Sequence, residues 1–243
     1  MNIVAIVQAR CGSTRLPNKV FLKILKKPII WHVFNRLNNS KKITKLVLAT
    51  TDSKSDDDLE KWAIKNRIDY YRGSEDNVLN RFYNASKKYN ADIIVRITAD
   101  DPLKDVNIID QVIDMTINNG LDFGFNNFPP TFPEGMDVEV FTFDALQIAE
   151  ENSTDSFERE HVTQYFHRNS SLFNSQNYKS SKDYSKFRLT IDTELDLKMI
   201  DSIFTFFEKS TKKMNYKNIL DLLLSKPEIS MINSEVKRSE MYK

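Results

Sequence analysis

Seven short runs of apolar and β-favouring residues recur along the chain: NIVAIV (2–7), KLVLAT (45–50), IDYY (68–71), DIIVRI (92–97), LDFGF (121–125), DVEVF (137–141) and FRLTI (187–191). Between most of them the apolar residues fall at helical spacing. Leu59, Trp62 and Ala63 share one helix face, as do Val78, Leu79, Phe82 and Tyr83, and again Ile109, Val112, Ile113 and Thr116. Strands that alternate with helices, and that are apolar nearly throughout, need cover on both faces. The expectation is an α/β chain: a mostly parallel twisted sheet with helices on both faces. With 243 residues, 40% of them hydrophobic, the chain is long enough for one such domain.

One stretch departs from the alternation. Residues 126–141, NNFPPTFPEGMDVEVF, place three prolines and a glycine before a strand of alternating character, which reads as a β-hairpin inserted into the sheet fold in an antiparallel or edge position. Further helices are expected at about 143–151, 156–168, 196–209 and 216–225, and residues 227–243 read as a loosely attached extension.

Charge and cysteine content narrow the class of function. A formal charge of +1 with no basic tail argues against a nucleic-acid binder or an anionic-membrane binder working by bulk electrostatics. No apolar stretch approaches the ~18–20 residues of a membrane span. The short opening apolar run has no basic region before it and does not read as a secretory signal, so a cytoplasmic location is expected. The single cysteine, Cys11, excludes an intrachain disulfide and reads as a small residue filling a turn.

That turn carries the strongest chemical signal. QARCGSTRLPNK (8–19) follows the first strand directly and holds Ala9, Arg10, Gly12, Ser13, Arg15 and Lys19. A strand followed by a glycine- and serine-bearing loop and then cations suits a polyphosphate, because backbone N–H groups line the concavity and Arg15 and Lys19 neutralise charge. A solvated turn with paired arginines is the alternative on spacing alone. ITADDPL (97–103) brings Asp100 and Asp101 out at the end of another strand, where a hard cation such as Mg²⁺ finds carboxylate oxygens or a helix finds its cap. RLTIDTELDL (188–197) repeats the arrangement with Asp192, beside Arg188, with helix capping by Asp192 or Thr193 as the alternative. In a parallel sheet these strand ends reach a common rim, so Asp100 and Asp192 facing the cationic loop form a candidate metal–polyphosphate site.

Two more clusters suit a second substrate: Glu134, Asp137 and Glu139 around a glycine turn, and Arg159 with His161 on a helix. His161 shares a face with Val162, Tyr165 and Phe166, which favours a hydrogen-bonded core histidine over a catalytic one. His32 reads as structural and His167 as a surface residue. RGSEDNVLNRF (72–82) offers Arg72 and Ser74 to a phosphate or base, or else simply opens a helix at Ser74 or Asp76 with Arg81 exposed.

VQARCGSTRLPNKVFLKI, LATTD, RGSEDNVLNRFYNA, VRITADDPL, FPEGMDVEVF, REHVTQYF and RLTIDTELDL, in this order and spacing, resemble the cytidylyltransferase family that includes the spore-coat polysaccharide proteins of the SpsF type. More distantly the chain is similar to the CMP-Kdo and CMP-sialate synthetases. The resemblance implies a single nucleotide-binding domain of glycosyltransferase-A-like architecture that transfers CMP from CTP to a sugar. The acceptor is then an acidic sugar, such as a nonulosonate or octulosonate, or a sugar or polyol phosphate, and the product serves surface polysaccharide synthesis. It also implies triphosphate binding by Arg10, Gly12, Ser13, Arg15 and Lys19, and Mg²⁺ binding by Asp100 and Asp192. A homodimer is implied by the family alone. A glycosyltransferase of the same fold using a nucleotide-diphosphate sugar, or transfer from UTP or GTP, remain alternatives.

Overall fold

The computed structural model describes residues 1–238. The chain opens with β1 (Ile3–Gln8), a small hairpin of β2 (Lys23–Ile24) and β3 (Lys27–Pro28), and helix α1 (Ile29–Leu37). Then strands and helices alternate as β4 (Lys45–Thr51), α2 (Asp57–Asn66), β5 (Asp69–Gly73), α3 (Val78–Lys88), β6 (Ile93–Thr98) and α4 (Val106–Asn118). Two short strands follow, β7 (Phe123–Phe125) and β8 (Glu139–Thr142), and after them α5 (Phe143–Asn152), α6 (Ser156–His161), α7 (Gln164–Arg168) and β9 (Ser175–Asn177). The chain continues through α8 (Glu194–Glu208), α9 (Tyr216–Ser225) and α10 (Pro227–Ser230).

The main sheet has seven strands in the order β5-β4-β1-β6-β8-β7-β9. β5, β4, β1 and β6 are mutually parallel, β8 runs antiparallel to both its neighbours, and β9 returns parallel to β7. This is the mostly parallel α/β sheet expected from the alternation. Side chains separate by parity along each strand. Ala5, Val7, Leu48, Val95 and Ile97 join α1, α2, α4, α8 and α9 in one core. Val4, Ile6, Val47, Ala49 and Ile94 join α3, α5 and the α6–α7 region in the other. Val4, Ala5, Ile6, Val7, Val47, Leu48 and Ala49 are each 0% exposed, and burying a side chain of valine size or larger contributes about 1.5–3 kcal/mol.

Four expectations need correction. The strand of the 126–141 stretch is antiparallel, as one of the two expected positions had it, but it is neither set apart from the sheet nor an edge, because β8 lies inside the sheet between β6 and β7. FRLTI (187–191) is not a sheet strand. It runs extended against the 126–138 loop instead, with Glu134 N–H donating to Phe187 O (3.0 Å) and Leu189 N–H donating to Glu134 O (2.7 Å). The expected 156–168 helix breaks at Val162, which adopts φ 55° and buries its side chain completely. The extension is not loose as far as residue 238: Asn233 is buried and its amide donates to Arg188 O and to Asp196 Oδ1 (2.8 Å). Residues 239–243, the rest of that extension, lie outside the described residues.

The contact between the 126–138 loop and the 187–191 segment depends on Gly135. Its φ is +94°, and a Cβ there would stand 2.6 Å from the Leu189 carbonyl carbon. Backbone cannot yield as a flexible side chain does, so Gly135→Ala is expected to lower unfolding stability by at least about 2 kcal/mol in urea denaturation. A wild-type midpoint in that variant would show the approach to be looser than described.

Candidate active site

All the functional candidates on the opening turn depend on how that turn is held. Ala9 N–H donates to Ala49 O (3.1 Å), extending the sheet past β1, and Ala99 N–H donates to Gln8 O (3.1 Å) from the other side. Cys11 O accepts from Ser13 N–H (2.8 Å) and Asn18 N–H (3.1 Å), while Cys11 N–H donates to buried Asp56 (2.7 Å). Burial, with Asp56 beside it, pushes the Cys11 thiol up to about 12, so it fills space and is no nucleophile at neutral pH. Leu16 is buried beneath the loop, and Gly12 and Arg15 are left exposed.

Lys19 then points into the molecule. Its Nζ donates to Asp100 Oδ2 (2.6 Å), Asp192 Oδ1 (2.8 Å) and Ile191 O (3.0 Å). Arg15 Nη2 stands 3.2 Å from Asp192 Oδ2. Three segments far apart in sequence therefore meet at one point, helped by Ile191 N–H donating to Asp100 O (3.0 Å). Burial alone would lower the Lys19 ammonium, but Asp100 and Asp192 hold it well above the usual lysine range. Burial would raise Asp100, and Lys19 more than offsets it, leaving that carboxyl below its ordinary value.

Neither aspartate is spent on capping a helix. Asp105 caps α4 and Thr193 caps α8, in a capping box with Asp196. Asp196 is fully buried and accepts from the backbone N–H groups of Asp192 and Thr193, both at 3.0 Å. Arg188 stands behind this wall, bonded to Glu134 (2.7 Å), Asp192 (2.7 Å) and Asp196 (2.9 Å).

Two cavities open on either side of the Asp100–Asp192 pair. The larger, about 340 Å³, is bounded by the loop residues Ala9, Arg10, Gly12, Ser13 and Arg15, by Lys19, and by Gln8, Glu75, Val78, Arg81, Glu160 and His161. The smaller, about 180 Å³, is bounded by Arg96, Asp101, Lys104, Glu134, Gly135, Asp137, Glu139 and Thr190. Arg15, Thr98, Asp100 and Asp192 border both.

The remaining candidates fall on different sides of this arrangement. Glu134, Asp137 and Glu139 border the smaller cavity. His161 borders the larger one rather than the smaller, half-buried with its ring against Phe157. Arg159 borders neither, since its guanidinium is taken up by Glu150 (2.6 Å) and by Ser153 O, stapling α6 to the end of α5. Arg72 also stands away from both, bonded to Thr51 O (2.8 Å), Ser53 O (2.7 Å), Glu60 and Asp57. Ser74 is a turn residue whose hydroxyl accepts from Asn77 N–H, and Asn77, not Ser74 or Asp76, caps α3. His32 Nε2–H donates to Ile24 O (2.9 Å) in the core, as expected. His167 is not on the surface but half-buried among Phe123, Phe125 and Phe128.

Several wall residues were missed from sequence. Arg96, Gln8 and Thr98 follow from strand register, since Gln8 pairs with Thr98 and Ile6 with Arg96. A lone arginine inside DIIVRI was the available signal. Arg96 is buried against Glu139, and its Nε donates to Gln8 Oε1 (3.1 Å). Buried Lys104 pairs with Asp101 at 2.9 Å. Among the described residues no group of three or more His, Cys, Asp or Glu side chains is placed to hold a metal ion.

Known proteins resemble the chain along most of its length. The family model described as Cytidylyltransferase matches residues 4–233. An uncharacterized protein of Methanocaldococcus jannaschii is 39% identical over 241 residues, covering 98% of this chain and 97% of that protein. The spore coat polysaccharide biosynthesis protein SpsF of Bacillus subtilis is 31% identical over 210 residues, covering 84% and 86%. The solved structure of a cytidylyltransferase from Leptospira borgpetersenii superposes with a TM-score of 0.90 at 36% identity, covering 95% of this chain and 97% of that one.

Asp137 supplies a pH test of the smaller cavity. Burial pushes its carboxyl up to about 6, with Lys104 opposing the rise and Asp101 adding to it. A carboxyl held above its unfolded value stabilises the fold below pH 4, and that contribution is lost as pH rises through 6. Asp137→Asn is therefore expected to gain about 1–3 kcal/mol on wild type between pH 4 and pH 7, read by urea denaturation at both values. A difference that does not change with pH would show that the carboxyl is not held up.

Proposed function

From the premise that the chain belongs to the cytidylyltransferase family, and so is a nucleotidyltransferase enzyme, we propose that it transfers CMP from CTP to a sugar or sugar-phosphate acceptor with release of pyrophosphate. The observation that carries this reading is the shared wall. Two separate cavities meet along Arg15, Thr98, Asp100 and Asp192, which is what a reaction between two bound partners requires. The larger cavity, floored by a cation-bearing loop, suits a triphosphate. The smaller is bounded by side chains that form hydrogen bonds, with Gly135 the exception, and suits a polyhydroxylated acceptor. An acidic sugar such as a nonulosonate or octulosonate, or a sugar or polyol phosphate, is the acceptor class, and the SpsF likeness supports a place in surface polysaccharide synthesis.

In this reading an acceptor oxygen attacks the α-phosphorus of CTP, and the bond to the bridging oxygen of pyrophosphate breaks. Arg15, exposed on its loop, and Lys19, at the shared wall, neutralise charge on the transferred and leaving phosphates. For Lys19 this means turning its ammonium from the carboxylates toward the nucleotide. The donor set left behind fits Mg²⁺: Asp100, Asp192 and Ile191 O present only hard oxygen donors around a point that already holds a positive charge. Asp100 and Asp192 would hold the ion, which when bound neutralises phosphate charge and makes an acceptor hydroxyl more acidic.

The test is pyrophosphate release from CTP with Mg²⁺ and a panel of acidic sugars and sugar phosphates. Release is expected to need both the cation and an acceptor. Asp100→Asn should lower it at least about 10²-fold, and Lys19→Met should lower kcat about 10²–10³-fold. Full turnover by Asp100→Asn would remove the metal and catalytic assignments together.

A further inference from the structure

Arg10, Glu75, Val78 and Arg81 are among the residues that border the larger cavity and not the smaller one. Arg10 and Glu75 face each other at 3.3 Å on the exposed rim. Arg81 differs from every other cation of the site. It is 3% exposed, yet no carboxylate lies within ion-pair distance of it among the described residues. Its Nη1 donates to Ser74 O (2.7 Å), and its Nε is buried with no acceptor. A guanidinium carries five donors, and burying one with its hydrogen bonds unmade is costly. Burial, with Arg10 adding repulsion, lowers Arg81 to about 10, so it remains charged at neutral pH. A charged, under-bonded arginine on a cavity wall is a site waiting for acceptors.

Phosphate is not the group it awaits, because Arg15 and Lys19 already gather beside the carboxylate pair on the shared wall. The base is what remains of a nucleotide to fill this part of the cavity. A guanidinium fork matches two adjacent acceptors in one plane. Cytosine offers such a pair in O2 and N3, whereas uracil presents an N3–H donor at the second position. Val78 supplies an apolar surface beside the fork for a ring face. We infer that Arg81 is the base-reading residue of this enzyme, donating to O2 and N3 of cytosine and so selecting CTP over UTP. The inference rests on the nucleotidyl-transfer reading above and adds to it the residue that sets the choice of base.

Calorimetric titration of the intact chain with CTP, UTP, GTP and 3-deaza-CTP, which lacks the N3 acceptor, separates the two. Wild type is expected to bind CTP about 10- to 100-fold more tightly than UTP or 3-deaza-CTP, the discrimination of one bidentate pair. In Arg81→Lys, which keeps the charge and loses the fork, CTP should weaken to the level of UTP and 3-deaza-CTP while those two change less than about threefold. Equal affinity of wild type for CTP and 3-deaza-CTP would overturn the inference while leaving CTP as substrate, and that measurement needs no folded variant. An equal loss for CTP and UTP in Arg81→Lys would also overturn it, showing a merely structural arginine. Preference for GTP, or no nucleotide binding at all, would overturn the functional reading itself and this inference with it.

Discussion

The Lys19 ammonium holds the site together. It is bonded at once to the 97–103 turn, through Asp100, and to the 188–197 segment, through Asp192 and Ile191 O. Without it two carboxylates would face each other across a partly buried space, an arrangement that like-charge repulsion and desolvation both oppose. The rest of the architecture brings this ammonium to that point. The parallel centre of the sheet fixes where β1 and β6 end, and the backbone bonds of Cys11 fix how the loop turns back. Arg188 and Asp196 fix the far wall from behind. In the functional reading the same ammonium must exchange its carboxylates for phosphate oxygens, so the contact that organises the free site is also one the substrate must displace.

Sheet and helices were legible because burial on both faces leaves a strong mark: uniformly apolar runs for β1, β4 and β6, and helical spacing between them. The rim was legible because cations and carboxylates followed those runs directly. What failed has a physical cause in each case. Alternation in DVEVF is the same for an edge strand and for an antiparallel strand placed between two others, so position within the sheet was not encoded there. FRLTI is apolar for a different reason, since Leu189 and Ile191 pack into the core while their backbone bonds to loops rather than to strands. Arg72 and Arg81 looked alike in sequence, and the difference lies in partners. Glu60, Asp57 and the carbonyls of Thr51 and Ser53 consume Arg72, whereas Arg81 has the Ser74 carbonyl and, among the described residues, no carboxylate within ion-pair distance.

The two cavities also divide the charges in an ordered way. On the larger side Arg10 and Arg15 stand on an exposed loop, while Lys19 and Arg81 are held inward. On the smaller side Arg96, Lys104 and the acids opposite them are buried in pairs, Arg96 with Glu139 and Lys104 with Asp101. Buried pairs of this kind add little net stability but resist rearrangement, because separating one leaves an uncompensated charge.

The grip of Asn233 on Asp196 gives the order of the chain a bearing on when the site matures. Every strand of the sheet is synthesised before residue 233, so the scaffold and the cationic loop are able to assemble first. The Asp192 turn acquires its full backing only when the segment after α10 docks. A chain emerging in order thus has every strand of its frame in hand before the residue that clasps the far wall of the cleft.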